Sequence, residues 1–119
     1  MTCRAYFDPK DGSRYTLGRI PIGGTDFSTR AYTLDDYDDD ATLQHFALAP
    51  EDVEYKIPYA RKAVELNPDL RFFSAAWSAP TWMKTNHKIN GFGKLRKYIY
   101  IDHFFSKINI SVLNKFFER

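Results

Sequence analysis

The chain has 119 residues, of which 44% are hydrophobic and 17% aromatic, a composition typical of a globular protein and not of a disordered one. Its 17 Lys and Arg residues against 15 Asp and Glu residues leave a formal net charge of +2, which argues against a dedicated nucleic-acid-binding module. The single Cys3 excludes an intrachain disulfide bond.

The start of the chain and its hydrophobic segments predict a soluble, non-secreted protein. Met1-Thr2-Cys3-Arg4 lacks the apolar run of a signal peptide. No segment approaches the roughly 20 apolar residues that span a bilayer. Membrane contact is therefore expected to be at most peripheral.

The first predicted elements are a turn, a strand and a long loop. Residues Asp8 to Gly12 are dense in turn formers, and Tyr15–Ile20 favours a short strand that Pro21 ends. From Pro21 to Pro50 no helical or strand period is present. We predict a long polar connection here, with the acidic run of residues 35–40 solvated. Loops of this length are usually functional or disordered.

A helix and a second strand are predicted next. Glu51–Asn67 has apolar residues at helical spacing, and Pro58 predicts a kinked start or a separate first turn. The apolar positions are Val53, Ile57, Ala60 and Val64. Leu70–Trp77 is a mostly apolar run, which is typical of a strand covered on both faces of a parallel sheet. Strand, helix and strand predict a βαβ unit of an α/β protein.

Candidate ligand-binding residues follow the two predicted strands, where parallel α/β folds assemble their sites. Asp26 comes after a Gly-Gly turn, and ligand contact and a local Asx-turn role are equally open for it. Trp77 ends the second strand and offers an aromatic face on which a sugar can stack. Tryptophan is nevertheless more often a core residue.

Other chemistries find little support in the sequence. His45, His87 and His103 stand apart from any further His or Cys at metal-ligand spacing, so no metal site is predicted. The segment from Gly91 to Leu95 lacks the spacing of a phosphate-binding loop, and no cofactor is expected. Basic residues interleaved with Trp82 suggest a nucleic-acid patch only if a basic groove exists, which the sequence does not show.

Five segments in order carry a resemblance to a known family. They are Gly18–Ser28 (GRIPIGGTDFS), Tyr32-Thr33, Leu43–Leu48 (LQHFAL), Lys56-Ile57-Pro58 and Trp77–Asn86 (WSAPTWMKTN). Together, from about residue 4 to Leu95, they resemble the glucosylceramidases of glycoside hydrolase family 30.

The resemblance implies that residues 4–95 are a fragment of a (β/α)8 TIM barrel, a fold that takes about 250 residues. In the family, the positions matching Arg19, Asp26 and Trp77 line the glucose-binding subsite, and Phe27 matches a neighbouring pocket position. The resemblance assigns Asp26 to sugar hydroxyl groups, Trp77 to an apolar wall, and Arg19 to organising charge below the catalytic carboxylates.

The same resemblance implies a retaining hydrolase, with one Glu in an Asn-Glu-Pro context and a second Glu roughly 5 Å away. Neither motif occurs in this sequence. We therefore expect an incomplete chain without activity of its own; a non-enzymatic carbohydrate-binding or interaction module is the alternative. For the full-length family the resemblance implies glucosylceramide or a related β-glucoside as substrate, a lysosomal or secreted location, and peripheral membrane or activator-protein contact.

Residues 96–119 differ in composition from the rest of the chain. They contain no Gly, Pro or Ala, whereas residues 1–95 contain 10 Ala. Two hypotheses remain open: translated non-coding sequence, or a divergent version of the next barrel helix with an apolar stripe. That stripe would comprise Phe104, Phe105, Ile108, Val112 and Phe116.

Overall fold

The computed structural model of this protein describes residues 2–96 and residue 114. The elements are helix α1 (Thr2–Phe7), strand β1 (Leu17–Ile22), helix α2 (Ile57–Leu66), which a π-helical turn (Asp52–Lys56) precedes, strand β2 (Arg71–Ala76) and a 3-10 turn (Thr81–Met83). The segment predicted to begin at residue 96 lies outside the described residues except for residues 96 and 114, and so does the helical stripe predicted within it. Among the described residues, no helix is long and apolar enough to cross a bilayer.

The two strands form a parallel pair, which confirms the predicted βαβ unit. Leu17 pairs with Arg71 at one end and Ile22 with Ala76 at the other. The Arg71 amide donates to the Thr16 carbonyl at 2.9 Å, and the Trp77 amide donates to the Ile22 carbonyl at 3.3 Å. The loops after β1 and β2 therefore leave the sheet side by side.

Strand β1 passes through Pro21, although the sequence predicted that Pro21 would end it. The carbonyls of Thr16 and Ile22 face β2, so the backbone groups of the odd-numbered residues between them point to the other edge. Proline lacks only an N–H on that outer edge, where it removes no ladder hydrogen bond. Composition cannot reveal this, because the effect depends on the register of the pair.

One face of the sheet is covered and the other is open. Ile20 and Ile22 belong to a buried cluster with residues of α2 and of both loops: Tyr32, Leu34, Ala49, Ala60, Trp82 and Met83. On the opposite face Leu17, Phe73 and Trp77 are exposed. The prediction that β2 is covered on both faces is therefore wrong for the described part of the chain. In a barrel this second face points inward and is covered by the other strands.

The predicted helix is present, and the separate first turn that Pro58 predicted is confirmed, in π-helical form. The π-helical turn occupies Asp52–Lys56, and Pro58 lies in the first turn of α2, where its missing N–H does no harm. The wider π-helical turn shifts the buried face. Val53 is consequently exposed, while Ala60 and Ala63 are buried. Ala60 belongs to the same buried cluster as Ile20 and Ile22, which places α2 against the covered face of the sheet.

The acidic run is only partly solvated, which corrects the sequence prediction for two of its members. Asp36, Asp38 and Asp39 are exposed, but Asp35 and Asp40 are buried. The Asp40 carboxylate accepts hydrogen bonds from the backbone amides at positions 44 and 45, at 3.0 and 2.6 Å. Asp40 therefore closes a turn from inside the loop, an arrangement that a run of like residues does not reveal.

Candidate functional site

Arg19 and Trp77 lie together on the open face of the sheet. Arg19 pairs in register with Phe73, and the alternation of side chains places Trp77 on the same face. The Arg19 guanidinium carbon is 5.1 Å from the centre of the Trp77 ring system, within the range of a cation–π interaction. No carboxylate pairs with Arg19 among the described residues. The pair presents a positive charge and a half-exposed indole at the carboxyl end of β2.

Asp26 and Phe27 occupy the two central positions of a turn that follows β1. The Ser28 amide donates to the Thr25 carbonyl at 3.1 Å, and the Thr25 amide donates to Ser28 Oγ at 2.9 Å. Phe27 is 94% exposed, and Asp26 is exposed as well. The Asp26 carboxylate forms no hydrogen bond with described residues, so the turn is closed by Thr25 and Ser28 and not by an Asx-turn of Asp26. Both carboxylate oxygens are open to a ligand.

The start of this turn requires glycine. Gly23 has a φ of 81°, and a Cβ atom there would lie 2.8 Å from the Tyr32 carbonyl oxygen. The Gly24 amide donates to that same carbonyl at 2.9 Å, which joins the two ends of the loop that carries Asp26. The backbone thus reverses directly after β1, within three residues of Asp26.

Gly23→Ala is expected to destabilise the protein more than Gly91→Ala. Both glycines have a φ near 80°, so both variants bear the left-handed backbone cost of about 1 kcal/mol. Only at Gly23 does the new methyl group meet a backbone oxygen, whereas the nearest atom at Gly91 is 3.8 Å away. Urea unfolding followed by circular dichroism measures the difference, and equal losses in the two variants would contradict the close approach to Tyr32.

The four predicted site residues form two groups. Arg19 and Trp77 share the sheet face, and Asp26 and Phe27 share the turn after β1. No hydrogen bond, ion pair or ring contact within the described residues joins one group to the other. Trp77 also lines a cavity of about 310 Å³ with Ser78, Ala79 and Lys84, which is near the lower end of the usual size of ligand sites.

The second tryptophan has a different role. Trp82 is 2% exposed, and its indole N–H donates to the Asp35 carbonyl at 3.0 Å. It connects the loop after β2 to the long loop after β1. Trp77 is thus a surface residue and Trp82 a core residue. Their similar local sequence context does not reveal this difference.

In the described part of the chain, no group of three or more His, Cys, Asp or Glu side chains is placed to hold a metal ion. His45 stacks on Tyr37 with ring centres 3.8 Å apart, and its Nδ1 is 3.3 Å from an Asp40 carboxylate oxygen. These contacts give His45 a local structural role.

Comparisons with known proteins place the chain among glycoside hydrolases. A family model described as "Glycosyl hydrolase family 30 TIM-barrel domain" matches residues 1–118. "Putative glucosylceramidase 3" of Caenorhabditis elegans is 42% identical over an alignment of 120 positions, which covers 96% of this chain and 21% of that protein. Lysosomal acid glucosylceramidase of Mus musculus is 38% identical over 97 residues, or 81% of this chain and 19% of that protein.

A solved structure agrees with these matches. The crystal structure of SrfJ from Salmonella typhimurium superimposes with a TM-score of 0.80 at 34% identity, over 96% of this chain and 25% of that one. The chain therefore spans about a fifth of the length of these two curated relatives, and the family match continues beyond residue 96.

Proposed function

The chain belongs to glycosyl hydrolase family 30, and from this premise we propose that it supplies part of the glucose-binding subsite of a retaining β-glucosidase. The β1–α2–β2 unit is a section of the family's TIM barrel. The observation that carries the proposal is the exposed indole of Trp77, held beside Arg19 at the carboxyl ends of the strands, where barrel enzymes bind substrates. The proposed substrate is glucosylceramide or a related β-glucoside.

Each of the four side chains has a proposed part in binding. The C–H face of glucose stacks on the Trp77 ring, since an aromatic face suits an apolar sugar surface. Sugar hydroxyl groups donate to the Asp26 carboxylate, which has no competing hydrogen bond among the described residues. Arg19 holds the indole from one side and contributes positive charge to the floor of the site. Phe27, at the tip of the turn, borders the pocket.

The chemistry itself requires two further carboxyl groups. A retaining glycosidase needs an acid/base and a nucleophile about 5 Å apart, flanking the scissile bond. The 119 residues contain no Asn-Glu-Pro segment to supply the acid/base. Asp26 contributes hydrogen bonds, which cannot replace the covalent step. We therefore propose that this polypeptide binds and orients the sugar without hydrolysing it.

Location, partners and the extent of the domain are part of the same proposal. The lysosomal relative supports a lysosomal location for the protein. A secreted location and peripheral membrane or activator-protein contact are proposed from the family resemblance alone. The match through residue 118 supports the second hypothesis for residues 96–119, that they are a divergent barrel helix. The outer edge of β1 is unpaired in the described residues, so the isolated polypeptide is expected to be marginally stable.

The proposal is tested with purified residues 1–119 and two assays. A fluorogenic β-glucoside is expected to show no turnover above the blank, and methyl β-glucoside is expected to shift the NMR signals of Trp77 and Asp26. Trp77→Ala should abolish the shifts, whereas Phe92→Ala, which removes a more exposed loop aromatic, should preserve them. Turnover that survives purification and responds to Asp26→Ala would contradict the inactivity, and unchanged binding by Trp77→Ala would contradict the subsite.

The alternative, a non-enzymatic carbohydrate-binding module, predicts a different stability. It requires an independently stable domain that unfolds cooperatively and is stabilised by the sugar, whereas the barrel section of the leading proposal is expected to be only marginally stable. An aggregated or unfolded product would remove this alternative.

A further inference from the structure

Lys56 connects the π-helical turn before α2 to the end of β1. Its Nζ lies 3.1 Å from the Pro21 carbonyl oxygen and 2.8 Å from the Gly23 carbonyl oxygen. A third contact, at 2.7 Å, is made with Asp52 Oδ1. An ammonium group has three N–H donors, so each donor has one acceptor. Lys56 is the first residue of the Lys-Ile-Pro segment singled out in the sequence.

The partner carboxylate is itself held in place. The Asp52 side chain is 1% exposed, and its Oδ2 accepts a hydrogen bond from the Ala49 amide at 3.0 Å. The Tyr32 ring lies over the ammonium, with its centre 5.4 Å from Nζ. The Lys56 side chain is therefore fixed from three sides, at a point where rotation would leave a buried charge unpaired.

Of the two carbonyls that Lys56 binds, that of Pro21 points to the outer edge of β1, and that of Gly23 lies just beyond the end of the strand. Pro21 alternates with Ile22, whose carbonyl faces β2. No strand pairs with this outer edge within the described residues. Lys56 supplies the donors that a neighbouring strand would otherwise give, at the place where the chain leaves the sheet and reverses at Gly23.

We propose that Lys56 is a positioning residue for the turn Thr25–Ser28, which presents Asp26. By holding the carbonyls of Pro21 and Gly23, the ammonium fixes the direction in which β1 ends. The Gly24 amide, bonded to Tyr32, then sets the base of the loop. The effect of Lys56 on sugar binding rests on the proposed function, whereas its effect on the backbone of the turn does not.

The test compares Lys56→Met/Asp52→Asn with Lys62→Met in residues 1–119. The double variant removes both charges, so no buried carboxylate is left without its partner. Lys62→Met removes an exposed lysine paired with Glu65 and serves as the control. Amide hydrogen exchange is measured at Gly24 and Ser28, in the turn region, and at Arg71, whose amide donates to the Thr16 carbonyl at the far end of the strand ladder. The dissociation constant of methyl β-glucoside is measured in parallel.

In the double variant, exchange at Gly24 and Ser28 is expected to accelerate about tenfold or more, the loss expected for hydrogen bonds to a charged group. Exchange at Arg71 should change much less, and the control should behave as the unmodified chain. Equal acceleration at all three amides, or none at Gly24 and Ser28, would overturn the positioning role. So would an unmodified chain in which the Gly24 amide is unprotected.

The sugar measurement separates this inference from the proposed function. If the unmodified chain binds methyl β-glucoside, the double variant should bind it about tenfold more weakly, in step with the exchange at Gly24. If the unmodified chain does not bind the sugar, the proposed function fails, and the exchange data alone decide the role of Lys56.

Discussion

Trp82→Ala is expected to destabilise the chain severely, whereas Trp77→Ala should leave its stability almost unchanged. Trp82 is 2% exposed and packs in the main hydrophobic cluster, and its indole N–H is bonded to the Asp35 carbonyl. Truncating such a side chain costs about 3–5 kcal/mol. That is a large fraction of the total stability of a small domain, which is about 5–15 kcal/mol.

Trp77 provides the matched comparison, because it is a tryptophan five residues earlier and is 44% exposed. Its removal loses the cation–π contact with Arg19, worth about 0.5–1 kcal/mol at an exposed position. Trp82→Phe should fall between the two, since it keeps most of the packing and loses the hydrogen bond. Urea unfolding followed by far-ultraviolet circular dichroism gives the three values, and similar losses for Trp77→Ala and Trp82→Ala would contradict the assigned roles.

Asp35 is expected to make the protein less stable as the pH rises from about 4 to about 7. Its side chain is 1% exposed, and neither carboxyl oxygen accepts a hydrogen bond from described residues. Burial, and then the Asp40 carboxylate, raise the pKa of Asp35 to about 7, and a protonated Asp35 can donate to Asp40. Burial raises the pKa of Asp40 as well, but hydrogen bonds from the His45 and Gln44 amides and the Thr42 hydroxyl outweigh it and hold this pKa below the ordinary value.

The sign of the pH dependence follows from the number of protons that the folded and the unfolded chain bind. Between the ordinary pKa of 3.8 and the folded value of about 7, the folded chain holds a proton on Asp35 that the unfolded chain has released. The free energy of unfolding therefore falls with rising pH, by at most about 1.4 kcal/mol per pH unit from this group. Above pH 7 or so, Asp35 adds no further change.

Asp35→Asn isolates the effect, because every other titrating group is common to both proteins. The melting temperature of the unmodified chain should fall between pH 4 and pH 7 relative to that of Asp35→Asn, and the variant should be the more stable protein at pH 8. Asp38→Asn, at an exposed position of the same run, should keep the unmodified profile. Parallel profiles for the unmodified chain and Asp35→Asn, or a carbon-13 titration of Asp35 near pH 4, would contradict the buried pair.

The fold could be predicted where the signal is local. The apolar period of Ile57, Ala60 and Val64 specified a helix, and the run from Leu70 to Trp77 specified a strand. The order of the elements was then enough for a βαβ unit. Exposure of Val53 could not be predicted, because the π-helical turn that rotates it depends on the buried contacts of Asp52 and Lys56 with residues outside the helix.

The candidate site could be predicted only in part. The family resemblance named Arg19, Asp26, Phe27 and Trp77, and their role in sugar binding stays a prediction. The sequence could not show that Arg19 and Trp77 are in contact, because that contact depends on the register in which residues 54 positions apart are paired. Lys56 was noted only as part of a motif, since a lysine in a helix is usually a solvated side chain.

The sequence by itself determined the family, the βαβ order and the absence of the Asn-Glu-Pro segment, because these depend on residue identity and short-range spacing. The tertiary structure alone decided which of two tryptophans is open, which two of the clustered aspartates are buried, and which carbonyls Lys56 binds. Those outcomes follow from the parity of the strand pairing and from the way the loop of residues 23–50 folds back on the sheet. Both are set by contacts between distant residues, where burial and hydrogen bonding, and not local propensity, determine the environment of a side chain.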